Sequence, residues 1–174
     1  MSLHTVVPML DILRLRGGPQ DLPADQGTLV FWMGASVFTG ILVAAPMHGV
    51  ATSLYLSVLD LAVLYLFVMT LLGLRGMTGR WLQTYIALVG TSALLGLVMA
   101  ALLWAFPPDF AEEQVSPPAL LAYLGLLVWL LLVFGHILQQ ALDLAGRMTG
   151  VAIALGFLIL SSVLTQFALG IASG

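Results

Sequence analysis

Asp60 is the residue of this sequence most able to do chemistry, because it lies inside a long run of apolar residues. A charged side chain at the centre of a bilayer costs about 3 kcal/mol on insertion scales, so such a residue is a candidate for a proton or ion pathway. Thr39 and Gln166 lie on neighbouring apolar runs at a comparable predicted depth, and the three form a candidate intramembrane polar site. A neutral aspartate that bridges two helices is the alternative. We favour it from the sequence, because one acid without a second acid or a base makes a poor relay.

A second polar group lies at the ends of three apolar runs. His136, Gln139 and Asp143 follow spacings of three and four residues, which places them on one face of a helix, with Gln140 as the alternative to Gln139. The candidate cluster comprises Arg80, Gln83, Thr84, His136, Gln139, Asp143 and Arg147. Polar side chains join facing helices in lipid, so the sequence favours an interhelical network. A small pocket for a headgroup or another anion is the alternative.

The sequence lacks the usual catalytic and metal-binding patterns. Cysteine is absent, which excludes a thiolate ligand or a cysteine nucleophile. The three histidines, His4, His48 and His136, lie on different segments without the spacing of metal ligands. Neither G-x-S-x-G, the Walker motif nor H-E-x-x-H occurs. We therefore predict that the protein is not an enzyme and binds no cofactor and no metal.

The composition identifies the environment in which these residues must be positioned. The chain has 174 residues, of which 61% are hydrophobic and 7% are charged, and its mean hydropathy is +1.11. An average soluble domain has about 25% charged residues. So few charges cannot cover the surface of a soluble domain, and they also exclude a disordered chain and a nucleic-acid partner. The sequence indicates an integral membrane protein whose first partner is the lipid bilayer.

Long apolar runs predict a single all-α domain, over residues 1–174, that crosses the membrane five times. A membrane helix needs about 20 apolar residues, and the runs lack the alternation of a membrane β-barrel. The predicted spans are residues 28–45, 52–74, 81–106, 118–140 and 148–171. Residues 1–16 are too short and too charged to span, so we predict an interfacial helix there.

The arginines predict the orientation of the five-span bundle. Lysine is absent, and the five cations are Arg14, Arg16, Arg75, Arg80 and Arg147. With five spans, all of these residues lie on one side of the membrane. The positive-inside rule then places the N-terminus in the cytoplasm and the C-terminus outside, and we predict a bacterial inner-membrane location.

Three segments resemble an uncharacterised family of small bacterial inner-membrane proteins. The segment after Arg80 resembles its R-x-x-Q-T-x-x-A-L-x-G-T pattern, through Gln83, Thr84, Ala87, Leu88, Gly90 and Thr91. The connector LRLRGGPQDLPA and the segment WLLLVFGHILQQALD are also similar. The five-span layout with a cytoplasmic N-terminus is similar to that of the Yip (Ypt-interacting protein) family. That resemblance implies a trafficking or membrane-organising role, and neither family supplies catalytic residues.

Two functions are consistent with these features. The first is a non-enzymatic scaffold or accessory subunit that packs against itself, as a homo-oligomer, or against another membrane protein. The second is a small oligomeric transporter or channel that uses Asp60 or the helix face from His136 to Asp143. From the sequence we favour the first, since no catalytic group is evident and the aqueous segments are short.

Overall fold

The computed structural model describes residues 3–107 and 116–172, and these residues form a helical bundle. The helices are α1 (Leu3–Leu13), α2 (Gln26–His48), α3 (Val50–Leu74), α4 (Trp81–Ala105), α5 (Pro117–Ala141) and α6 (Arg147–Ala172). Single 3₁₀ turns occur at Pro19–Asp21 and Thr78–Arg80. Five of the helices are long and apolar enough to cross a membrane. The predicted all-α polytopic bundle is therefore confirmed.

The end of α2 shows the largest difference from the predicted span boundaries. The sequence predicts an end near Ala45, before Pro46, but the helix continues to His48. Pro46 removes one helical hydrogen bond, but the bonding resumes beyond it, since the Gly49 N–H donates to the carbonyl oxygen of Ala45 at 2.9 Å. Gly49 ends α2 because its φ of +77° is a conformation that glycine adopts readily. α3 begins at the next residue, so α2 and α3 form a tight hairpin.

α4 is the central helix of the bundle. It packs against α1, α2, α3 and α5, while α6 packs against α5 and α3. Residues 84–91 of α4 are all buried, whereas Trp32 and Thr39 are the buried residues of α2. The outer helices therefore leave most of their apolar surface to the lipid, as expected for a membrane bundle.

Small residues allow α2 to approach its neighbours closely near the middle of the bundle. A Cβ atom added to Gly40 would overlap Ser57 Oγ on α3. A Cβ atom added to Gly96 of α4 would lie 2.9 Å from Thr39 Oγ1. Glycine and hydroxyl residues at helix contacts are typical of packing in lipid, where close backbone approach replaces the hydrophobic driving force.

The apolar face of α1 packs against the bundle. Met9 and Ile12 are fully buried, and the Met9 side chain lies against Gly90 of α4. Trp129 of α5 donates a hydrogen bond from Nε1 to the carbonyl oxygen of Leu13, at 3.1 Å. The predicted N-terminal helix is thus a packed element, and its position relative to the headgroups stays a prediction.

Three connections lie at the same end of the bundle, which we call the arginine end. Arg80, before α4, donates from Nη1 to the carbonyl oxygen of Ala141 at the end of α5, at 3.4 Å. Gln83 of α4 donates from Nε2 to the carbonyl oxygen of Leu22 in the α1–α2 connector, at 2.9 Å. The α2–α3 turn at Gly49 lies at the opposite end.

Asp25 in the connector fixes the start of α2 at the arginine end. Its carboxylate accepts hydrogen bonds from the Thr28 backbone N–H at 2.8 Å and from the Thr28 hydroxyl at 2.7 Å. These bonds lower the pKa of Asp25, with the hydroxyl bond as the larger cause. A carboxylate at this position satisfies a free N–H group and complements the helix dipole.

Candidate functional site

A space of about 430 Å³ with several polar lining residues lies between all five long helices, and we call it the Asp60 cavity. It extends from His48, at the α2–α3 turn, to Asp60 on α3. Asp60 lies ten positions after Val50, the first residue of α3, or roughly 15 Å at 1.5 Å per residue. That depth is about half of a hydrocarbon core roughly 30 Å thick.

Hydroxyl groups dominate the polar lining of the Asp60 cavity. On α3, Ser53, Ser57 and Asp60 follow spacings of four and three, so they share one helix face. The polar lining residues are Ser36, Thr39, His48, Ser53, Ser57, Asp60, Ser92 and Thr165. The opposite wall is apolar and includes Met99 of α4 and Leu130 of α5. The cavity is therefore amphipathic, with its charge at the inner end.

Several hydroxyl protons are already used within the helices. Ser53 Oγ donates to the carbonyl oxygen of Gly49 at 2.7 Å, and Ser57 Oγ donates to that of Ser53 at 2.8 Å. Thr39 Oγ1 donates to the carbonyl oxygen of Ser36 at 3.0 Å. A hydroxyl has one proton and two lone pairs, so these oxygens have only lone pairs left to offer. Ser57 presents its oxygen to the cavity as an acceptor, whereas Ser53 is fully buried and Thr39 is almost fully buried at the cavity wall.

Asp60 adds a carboxyl group to these acceptors. Its Oδ1 accepts a hydrogen bond from Ser161 Oγ of α6, at 2.5 Å, which ties α3 to α6. The Asp60 side chain is nonetheless exposed and lines the cavity. The cavity thus combines one acid with a set of neutral acceptors, an arrangement that suits a hydrogen-bond donor with positive charge.

Buried side chains separate the Asp60 cavity from the arginine end within the core, and an apolar groove of about 720 Å³ between α2, α3 and α4 runs beside Tyr85 to Trp81. Tyr85 of α4 donates from its hydroxyl to the carbonyl oxygen of Leu61, at 2.7 Å, directly beyond Asp60. Leu64, Leu88 and Val68 are also buried on this side. The Asp60 cavity is therefore open toward one end of the bundle and closed toward the other.

The structure brings together two of the three residues predicted for the intramembrane site. Asp60 and Thr39 line the same cavity. Gln166 is exposed on α6, and the preceding residue, Thr165, lines the cavity instead. A helix turns about 100° per residue, so one position separates the two faces. Asp60 is joined to α6 by the hydrogen bond from Ser161, as the interpretation of a helix-bridging aspartate predicts. It also lines a cavity, as a proton or ion pathway requires.

Sequence reasoning missed most of the hydroxyl lining. The missed lining residues are Ser36, Ser53, Ser57, Ser92 and Thr165, and Ser161, the donor to Asp60, was missed as well. The spacing of Ser53, Ser57 and Asp60 is a signal that was available, because these residues recur on one face of a predicted span. Single serines are common in membrane helices, however, and only the packing shows that four helices, α2, α3, α4 and α6, direct hydroxyl residues to one space.

A second cavity of about 350 Å³ lies at the arginine end, and we call it the arginine-end cavity. Its lining residues are Pro19, Gln20, Arg80, Gln83, Thr84, Gln140, Ala141 and Asp143. It contains four of the seven residues predicted for the second cluster, namely Arg80, Gln83, Thr84 and Asp143. Gln140 of α5 is present in place of Gln139, whose Cβ lies near Gly150 of α6.

The remaining predicted cluster residues lie outside the arginine-end cavity. Arg147 is exposed at the start of α6. His136 is buried behind the cavity, and its Nε2 lies 2.8 Å from the carbonyl oxygen of Gly17 and 2.9 Å from Gln140 Nε2. A carbonyl oxygen only accepts, so His136 Nε2 carries the proton that it donates to Gly17, while Gln140 Oε1 accepts a hydrogen bond from Gln20 Nε2, at 2.9 Å. His136 therefore holds the α1–α2 connector in place.

The fold and its cavities define a class: a five-helix membrane bundle with a polar cavity at each end. No protein-family model, no curated protein and no solved structure matches the chain. The resemblance to small bacterial inner-membrane proteins and to the Yip layout therefore stays a prediction.

Proposed function

We propose that the protein is a small membrane carrier that takes a small organic cation into the Asp60 cavity. The observation that carries this proposal is the donor and acceptor balance of the cavity. The Ser57 hydroxyl proton is used within α3, so its oxygen and the Asp60 carboxylate line the space as acceptors, whereas Thr39 and Ser53 are almost fully buried. A primary ammonium group supplies both the charge and the N–H donors that these acceptors lack.

The size of the cavity favours an organic cation over a bare metal ion. A volume of about 430 Å³ lies within the range of about 300 to 1,000 Å³ typical of small-molecule sites. The apolar wall that includes Met99 and Leu130 would cover a short hydrocarbon portion of the ligand. A small alkylammonium ion therefore fits the cavity in charge, donors and apolar surface.

The closed inner end of the cavity favours a carrier over an open channel. Tyr85 and the buried leucines block the way from Asp60 to the arginine end. Passage would require the helices around Asp60 to rearrange, and the hydrogen bond from Ser161 to Asp60 joins α3 to α6 at this depth. The proposed role is therefore binding and movement of a cation, without catalysis.

Uptake of butylammonium by proteoliposomes tests the carrier. We expect saturable uptake with the wild-type chain, and an affinity several-fold lower for Ser57→Ala, because that variant removes one acceptor oxygen while favouring the helix. Ser162→Ala is the matched control, since Ser162 is exposed and does not line the cavity. Uptake no faster than in empty liposomes would refute the carrier, and equal affinities of the two variants would refute the acceptor lining.

We further propose that the arginine end faces the cytoplasm of a bacterial cell and that the Asp60 cavity opens outside the inner membrane. The partition of the five arginines to one side supports this orientation. A reporter active only in the cytoplasm is expected to be inactive at the C-terminus and active at the N-terminus. Activity at the C-terminus would overturn the orientation.

The second candidate function is an accessory subunit or scaffold that packs against itself or another membrane protein. It is favoured by the sparse coverage of two helices: 11% of the apolar window of α2 and 17% of that of α6 are buried within the chain. Such faces can accept a partner helix as well as lipid. The uptake experiment separates the two functions, because an accessory subunit moves no cation by itself.

A further inference from the structure

The arginine-end cavity presents opposite charges that do not neutralise each other. Arg80 and Asp143 both line it, yet within the described residues they form no ion pair at 4.0 Å or less. The guanidinium makes one long contact, at 3.4 Å, to the carbonyl oxygen of Ala141. A pocket with separated positive and negative groups is complementary to a ligand that carries both charges.

The neutral residues of this cavity indicate which hydrogen-bonding groups that ligand should carry. Gln83 donates from Nε2 to the connector, and Thr84 donates from Oγ1 to the carbonyl oxygen of Arg80, at 2.8 Å. Gln83 therefore has an acceptor oxygen left over, whereas Thr84 is almost fully buried, and Arg80 supplies the strong donors. The anionic part of a ligand belongs at Arg80, and a part rich in N–H groups belongs near Asp143.

We propose that the arginine-end cavity binds a phosphate ester joined to a primary ammonium, the chemistry of a phosphoethanolamine headgroup. The guanidinium fork matches a phosphate group in geometry. A primary ammonium has three N–H donors for the Asp143 carboxylate, whereas a quaternary ammonium has none and is bound by aromatic side chains. No aromatic residue is among the described residues that line this cavity.

The position of the cavity suits a lipid source for this headgroup. Arg80 immediately precedes α4 and Asp143 follows the end of α5, so the cavity lies where long apolar helices end. Headgroups occupy that level of a bilayer. A soluble phosphoethanolamine has the same charged groups, and the experiment must therefore include both sources.

Native mass spectrometry of the full chain, released from detergent, tests the proposal. The probes are phosphatidylethanolamine, phosphatidylcholine and phosphatidylglycerol with identical acyl chains, and soluble O-phosphoethanolamine. For the wild type we expect about tenfold tighter binding of phosphatidylethanolamine than of the other two lipids. Competition by O-phosphoethanolamine at equal concentration indicates a soluble ligand, while preference for the lipid indicates a membrane source.

Three variants test which charged residue binds which group of the ligand. Arg80→Gln should weaken phosphatidylethanolamine and phosphatidylcholine alike, by about tenfold. Asp143→Asn should abolish the preference between these two lipids, and it should fold because asparagine tolerates the φ of +50° found at Asp143. Arg147→Gln is the matched control, since Arg147 does not line the cavity. Equal binding of the three lipids to the wild type, or equal losses in Arg80→Gln and Arg147→Gln, overturns the proposal.

Discussion

Asp60→Asn is expected to weaken the binding of butylammonium strongly while leaving the bundle at least as stable as the wild type. The carboxylate is the charge at the inner end of the cavity, and an amide of the same shape removes that charge. Loss of one close ionic contact in a partly wet site predicts about a 100-fold weaker affinity, or about 2.7 kcal/mol. The same change removes a charge from the membrane interior, where it costs about 3 kcal/mol on insertion scales.

The opposite signs of the two effects separate the functional role of Asp60 from a structural one. If Asp60 is a neutral side chain that only bridges helices, the substitution removes no charge and the amide oxygen still accepts the hydrogen bond from Ser161 Oγ, so both binding and stability stay close to wild type. Isothermal titration gives the affinity, and thermal unfolding in the same detergent gives the stability. Asp60→Glu is the control that keeps the charge, and it should retain measurable binding. Unchanged affinity in Asp60→Asn would remove Asp60 from the ligand site.

The fold was predictable because its strongest determinant is local. Apolar runs of about 20 residues, separated by glycine, proline and arginine, predict spans by length alone, and the five long helices follow them. The end of α2 was less predictable, since Pro46 is tolerated in a last turn and the helix ends only at Gly49. The packing of Met9 against Gly90 also depends on tertiary contacts that no local pattern contains.

The two candidate sites were predictable only in part, because helix rotation decides which neighbouring residue faces a cavity. Gln166 of α6 and Gln139 of α5 were predicted as site residues. The neighbouring residues line the cavities instead, Thr165 on α6 and Gln140 on α5. The residue adjacent in sequence lies about 100° around the helix. The spacing of polar residues along one helix does not show which side of that helix faces its neighbours. Asp60 was identifiable because its charge is exceptional wherever it points.

The contact between α5 and α6 provides the prediction with the largest expected effect on stability. Gly150 of α6 lies directly against the backbone of Gly135 of α5, and a Cβ atom added to Gly150 would overlap the Gly135 carbonyl oxygen. The same Cβ would lie 3.1 Å from Gln139 Cβ. Backbone atoms inside a helix cannot rotate away, so Gly150→Ala must push the two helices apart. We expect a loss of about 1 to 3 kcal/mol in the free energy of unfolding, seen as a lower melting temperature in detergent.

Gly156→Ala on the same helix is the control that isolates this contact. A Cβ atom added to Gly156 meets no atom within 4 Å, so the substitution gives the same gain in helix propensity, up to about 1 kcal/mol, without the overlap. Equal melting temperatures for the two variants would show that α5 and α6 do not approach as closely as the structure has them. The displacement should also reach the Asp60 cavity, because α6 carries Ser161 and Thr165 to it. Gly150→Ala should therefore lower butylammonium affinity as well, although Gly150 does not line the Asp60 cavity. Gly156→Ala should leave that affinity unchanged.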